Sequence, residues 1–131
     1  MPKKKKRRSR YHRGIYTSAK NAGKQFSYRS GWEGKYFEHL ENDPEVISYD
    51  YECLKIPYIS NKKSGRTRNY IPDFIVTRAT GTEIIEIKPT RFLKKRAIVK
   101  KLQAGNEYAT SHGMKFKLLT EVELKAMSII E

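Results

Sequence analysis

The sequence predicts an α/β fold, a mixed β-sheet flanked by helices in the order α-β-β-β-α-β-α, and three observations carry that expectation. Asn69–Thr77 and Glu83–Pro89 read as two strands joined by Ala79-Thr80-Gly81. Both runs are rich in β-branched and aromatic residues, and glycine accepts the positive φ a tight reversal needs. Residues 30–42 and 94–111 carry helical periodicity between plausible caps. Met114–Leu119 then forms a last short apolar strand.

In chain order, residues 1–25 are basic, small and polar, and are expected to form a flexible arm ahead of a domain spanning 26–131. Ser30 suits a helix N-cap, and Ser30-Gly31-Trp32-Glu33 fits a capping box. Asp43-Pro44 stops that helix, because proline disfavours the helical region for its predecessor. Glu45 to Ile59 suits one long bent strand or two short ones, interrupted near Glu52-Cys53 or Pro57. Ser60 to Arg68 is a polar, basic loop, which would make the exposed tip of a hairpin. Pro89 breaks the strand that follows Glu83, and a helix runs from about Lys94 to Ser111. Its stripe holds Ile98, Leu102, Gly105 and Ala109, and His112-Gly113 ends it. Thr120 can cap a short terminal helix reaching Met127.

Charge divides the chain unevenly. The 131 residues carry a formal net charge of +14, with 37% hydrophobic and 32% charged residues. Residues 1–32 hold eleven of the 28 Lys and Arg and no acid, while the remaining 99 residues balance at +3. Such an excess points to a polyanionic partner. Pro2-Lys-Lys-Lys-Lys-Arg-Arg8 reads either as a nucleic-acid tether or as a nuclear-localisation string. Cys53 is the single cysteine, so no internal disulfide is available and a reducing, intracellular setting without a secretion signal is expected. No apolar run approaches membrane-spanning length. His12, His39 and His112 show no metal-ligand spacing.

The chemistry concentrates on the two central strands. Side chains alternate faces, so Glu86 and Lys88 share one side while Ile85 and Ile87 point to the other. If Asp73 faces the same side, two carboxylates and an ammonium converge. Two hard oxygen ligands can hold Mg²⁺, and a lysine beside them can orient or help deprotonate the attacking water. Ile87 offers its carbonyl as a further ligand. Glu33 has two readings. Advancing roughly 100° per residue, it falls inside the apolar arc of Trp32, Tyr36, Phe37 and Leu40. It either completes the capping box or reaches the site beside Asp73. Candidate contacts to a nucleic-acid backbone are Lys3, Lys4, Lys5, Lys6, Arg7 and Arg8 in the arm, then Arg29, Arg66, Arg68, Arg91, Lys94 and Lys95.

Pro72-Asp73, twelve residues and Glu86-Ile87-Lys88 resemble the PD-(D/E)xK signature of restriction-endonuclease-like nucleases. Tyr28-Arg-Ser-Gly-Trp-Glu33, Tyr70-Ile-Pro-Asp-Phe74, Glu86-Ile-Lys-Pro89 and Gly113-Met-Lys-Phe-Lys-Leu-Leu-Thr-Glu121 resemble TnsA-type transposon nucleases and, more closely, the head-completion nucleases of T-even-like tailed phages. The resemblance spans roughly Tyr28 to Leu124. It implies a restriction-endonuclease-like core and a DNA endonuclease using Mg²⁺, with Mn²⁺ as a substitute. Asp73 and Glu86 would bind metal, Lys88 would assist the water, and Glu33 would be an extra acid. DNA is the implied partner, with phage portal or neck proteins beside it, and a homodimer if both strands are cut. The implied setting is the infected host cytoplasm or the virion. A non-catalytic basic DNA-binding or virion neck assembly protein that keeps the same fold is the alternative.

Overall fold

Helix α1 (Gly31–Asn42) begins as its sequence directs. The Ser30 hydroxyl accepts from the Glu33 amide, and the Glu33 carboxylate accepts from the Ser30 amide. The buried face of the helix is Glu33, Tyr36, Phe37 and Leu40, so the chain enters the core with a carboxylate in its first turn. The computed structural model describes residues 13–131.

Two strands precede that helix, β1 (Gly14–Ser18) and β2 (Lys24–Tyr28), paired antiparallel. The expected flexible arm therefore does not extend to residue 25. Tyr16 and Phe26 both stack on Phe37, at 5.3 and 5.2 Å between ring centroids. The Lys20 ammonium donates to the Leu40, Asp43 and Val46 carbonyls, where a helix end leaves acceptors unpaired. Aromatic packing and this C-terminal cap hold the segment down despite its charge. Lys3 to Arg8 lie outside the described residues.

After α1 come β3 (Val46–Tyr51), β4 (Ile56–Asn61), β5 (Arg66–Tyr70), β6 (Phe74–Arg78) and β7 (Gly81–Ile87). Of the two alternatives for Glu45–Ile59, two short strands interrupted near Glu52-Cys53 are found, and Asn69–Thr77 divides as well, so the region holds five strands. Glu52 adopts φ 49° and ends β3, while Pro57 sits inside β4. Ile71-Pro72-Asp73 separates β5 from β6, since Pro72 cannot donate to a ladder. Asn69–Thr77 is thus two strands in two different sheets rather than one. The β4–β5 hairpin carries the polar basic tip. A 3₁₀ turn at Thr90–Phe92 delays the second helix, α2 (Arg96–Ser111), by two residues. β8 (Lys115–Leu119) and α3 (Glu121–Ala126) follow, the latter capped by Thr120 with Glu123.

The main sheet runs β3-β6-β7-β8, antiparallel except for the β7–β8 pair. Helix α2 is the crossover that a parallel pair requires. This is the mixed α/β architecture the sequence predicts. Strand β7 is buried from Glu83 to Ile87, with both faces covered. Ile85 and Ile87 join Phe37, Leu40 and Phe74 in the larger core beneath α1. Glu86 points the other way, toward a smaller cluster of Ile56, Tyr70 and Ala104 built by the second hairpin and α2. Among the described residues no helix is long and apolar enough to cross a membrane.

Candidate active site

β6 begins at Phe74, so Asp73 sits just off its end, opposite the last residues of β7. One of its oxygens takes the place of a ladder acceptor: the Ile87 amide donates to Oδ2 at 2.8 Å. Asp73 also borders two adjoining hollows. Glu86 is buried at 5% exposure. The Tyr70 hydroxyl donates to its Oε1 at 2.6 Å, and the Lys88 ammonium lies 3.7 Å from Oε2. Each carboxylate is thus held through one oxygen by a short hydrogen bond, and the second Glu86 oxygen faces the Lys88 ammonium at longer range.

Electrostatics single out this pair. Burial pushes the Asp73 carboxyl well above the usual range, and the Glu86 and Glu33 charges push it further, against the Ile87 amide and Lys88. Burial also raises Glu86, although Tyr70 and Lys88 oppose it. Glu86 is buried and Asp73 half-buried, and Lys88 does not offset the cost of their charges.

Glu33 caps its helix and borders the same hollow as Asp73. Its Oε1 accepts from both the Arg29 and Ser30 amides at 3.0 Å, so the capping box forms. Its Oε2 accepts from the Tyr51 hydroxyl at 3.0 Å, and it shares a hollow with Asp73 and Lys88. It is a helix cap whose charge is felt at the site.

Two adjoining hollows of ≈ 560 and ≈ 440 Å³ meet at Asp73 and Lys88. The first is bordered by Glu33, Ile87, Arg91 and Lys95, the second by Tyr70, Glu86 and Lys101, and Arg29 borders both. Arg91 and Lys95 each lie 4.8 Å over the Phe92 ring, which holds two cations at the rim. The structure therefore brings together Arg29, Glu33, Asp73, Glu86, Ile87, Lys88, Arg91 and Lys95. It does not bring Arg66, Arg68 or Lys94 to the hollows: the arginines are exposed on β5, and Lys94 is exposed before α2.

Three participants escape sequence reasoning. Glu52, at its positive φ, donates its amide to the Asp73 carbonyl at 2.9 Å and ion-pairs with Arg29 at 3.2 Å. A non-glycine residue in that region is uncommon and tends to mark a functional site. Tyr51 and Tyr70 supply hydroxyls to Glu33 and Glu86. Tyr70 lies three residues before Asp73 but in another sheet, so spacing carries no hint of its role.

The carboxylates are hard oxygen donors of the kind divalent cations such as Mg²⁺ use. Among the described residues no group of three or more His, Cys, Asp or Glu is gathered as a metal cage. Mg²⁺ does not ask for one, since it keeps several waters and is bound through one or two carboxylates plus substrate phosphates. Asp73 and Glu86 fit that requirement.

A family model described as TnsA-like endonuclease N terminal matches residues 43–121 of this chain, a span containing Asp73, Glu86 and Lys88. The chain is also 34% identical over 127 residues to a protein of Enterobacteria phage T4 named "Head completion nuclease", covering 79% of this chain and 84% of that one.

Proposed function

The chain belongs to the TnsA-like endonuclease family, and from that premise we propose that it is a Mg²⁺-dependent DNA endonuclease that acts, as a head-completion nuclease, on packaged DNA ends. The observation that carries this reading is the convergence of Asp73 and Glu86 on one hollow beside Lys88, with Asp73 held through Oδ2 by the Ile87 amide and Glu86 through Oε1 by the Tyr70 hydroxyl. The reaction adds water across a phosphodiester: an oxygen–phosphorus bond forms, and the bond from phosphorus to one sugar oxygen breaks. That sugar oxygen leaves with a proton.

Asp73 and Glu86 would hold the cation, with the Ile87 carbonyl as a further ligand and Mn²⁺ as a substitute. When bound, the ion supplies a Lewis acid at the phosphate and lowers the pKa of water. Lys88 orients the attacking water and shares the phosphate's charge. The Tyr70 hydroxyl and the Ile87 amide keep the two carboxylates from turning away. Arg29, Arg91 and Lys95 at the rims grip the flanking phosphates, which positions the strand without reading its sequence. Arg66 and Arg68 extend the contact along the β4–β5 hairpin. Portal or neck proteins are the partners this reading calls for, and a second copy would be needed to cut both strands.

The test is incubation of the full chain with supercoiled plasmid. Nicked circles should accumulate with Mg²⁺ and not with chelator. Plasmid bound but left intact under both conditions would overturn the enzyme in favour of a DNA-binding assembly protein.

A further inference from the structure

We propose that Tyr70 is a positioning residue for the nuclease: its hydroxyl locks the Glu86 carboxylate so that Oε2 faces the cation site. The inference rests on the metal-dependent reading above. The hydroxyl donates to Glu86 Oε1 at 2.6 Å, with both side chains buried, at 3% and 5% exposure. A phenylalanine would fill the same aromatic slot. A buried hydroxyl is instead costly unless paired, and here its partner is a carboxylate of the site. The only ion pair of Glu86 among the described residues is Lys88 at 3.7 Å on the other oxygen. Without Tyr70 only the Asp73 backbone and the Lys88 ammonium would be left to orient the carboxylate.

The reach of the tyrosine is set from behind by α2. A Cβ at Gly105 would lie 2.9 Å from Tyr70 Cε2 and 2.5 Å from Phe116 Cε2, closer than real Cβ atoms approach. Gly105 is therefore a recess into which the two rings fit. Because Tyr70 closes β5, the exposed basic hairpin ends directly on the residue that holds Glu86. Partners of metal ligands act this way generally, and their loss typically weakens metal affinity or activity by about 10–100-fold.

The decisive experiment compares wild type, Tyr70→Phe and Gly105→Ala as full chains. Mn²⁺ binding is measured calorimetrically without DNA, and plasmid nicking is followed across a Mg²⁺ titration. In Tyr70→Phe, Mn²⁺ affinity should fall by about 10–100-fold. Nicking at low Mg²⁺ should fall in parallel, and excess Mg²⁺ should restore most of the rate. A tyrosine that only fills the core would lower the melting temperature and leave Mn²⁺ affinity alone. Gly105→Ala should shift Mn²⁺ affinity in the same direction with the hydroxyl still present. It decides the matter if Tyr70→Phe does not fold. Unchanged Mn²⁺ affinity in Tyr70→Phe, or in Gly105→Ala where only that variant folds, overturns the positioning role. Wild type that neither binds Mn²⁺ nor nicks overturns the nuclease reading itself, a different result from a nicking wild type matched by its variants.

Discussion

The β6–β7 pair carries a cluster of buried charge at each end, and the two clusters are solved differently. At one end Arg78 pairs with Glu83 at 3.0 Å and with Asp43 at 3.1 Å, while Lys117 takes the other Glu83 oxygen at 2.6 Å. Burial alone would raise Glu83, yet Lys117 and Arg78 outweigh it and hold the carboxyl below its usual range. At the other end Asp73 and Glu86 face Lys88, with Glu33 adding a further negative charge, and both carboxyls rise. The same strands thus hold one neutralised cluster and one short of positive charge. Acids held short of positive charge are costly to fold, and perturbed acids of this kind cluster at functional sites.

Neutralising the acids at each end should have opposite consequences. Asp73→Asn and Glu86→Gln should cut Mg²⁺-dependent nicking by more than about 100-fold, beyond what an outer partner of a metal site contributes. Their melting temperatures should hold or rise, because repulsion is relieved, and DNA binding should persist. Glu83→Gln should melt lower and nick normally once folded. Paired nicking and melting measurements check this, and wild-type cleavage by Asp73→Asn would break the comparison at its active end.

Removing the cation at the quiet end is the largest stability test. Arg78→Met leaves Glu83 to Lys117 alone and takes from Asp43 its guanidinium, and loss of that part-buried cation should lower stability by about 1–3 kcal/mol in denaturant titration. A variant as stable as wild type would mean that the pairs merely balance their desolvation.

The two ends should also respond to pH with opposite sign. The folded carboxyl of Asp73 is raised, so its contribution is full below the ordinary aspartate value of about 3.9 and is lost as pH rises through the raised value. Glu83 is lowered, so its contribution is present above the ordinary value of about 4.3 and is lost as pH falls through the lowered one. Without divalent cation, Asp73→Asn should therefore gain on wild type as pH rises, and Glu83→Gln as pH falls. Melting curves across acid to neutral pH give both slopes. Mg²⁺ should erase the Asp73→Asn advantage by stabilising only wild type.

The smallest effect belongs to Glu33. Its carboxylate caps α1 and adds charge near Asp73, and glutamine keeps one acceptor oxygen. Glu33→Gln should lose no more than about 1 kcal/mol of stability. Turnover should fall by about tenfold, the low end for an outer partner of a metal site. Glu38→Gln, whose contacts to Tyr16 and Asn42 are exposed, should do neither. Equal activity in the two variants would leave Glu33 as a cap alone.

Legibility followed the range of the interactions. Ser30 and Glu33 announced the start of α1 because a capping box is closed within four residues. Thr120 announced α3 for the same reason. The Gly81 turn and the alternation along β7 were equally local. The basic segment misled: residues 13–25 look unstructured by composition, yet Tyr16, Lys20 and Phe26 dock on α1, a partner that composition does not reveal. Arg66 and Arg68 sit on the hairpin and not at the hollows, because the break at Pro72 sends β5 into a separate sheet.

The chain by itself determined the mixed α/β class, the capping boxes of α1 and α3, and the face that Glu86 takes on β7, because strand alternation and capping act over a few bonds. Only the tertiary structure decided which charges share a boundary. It set Glu52 against Arg29, brought the Tyr70 hydroxyl onto Glu86 from another sheet, and placed Arg78 and Lys117 around Glu83 while leaving Lys88 as the cation beside Asp73 and Glu86. Those pairings join residues 2 to 34 positions apart, and the pairings across sheets, as of Tyr70 with Glu86, exist only once helices and hairpins have packed on the sheet. The energy of a charge depends on that packing, since the same carboxylate is cheap beside a buried arginine and costly beside another acid.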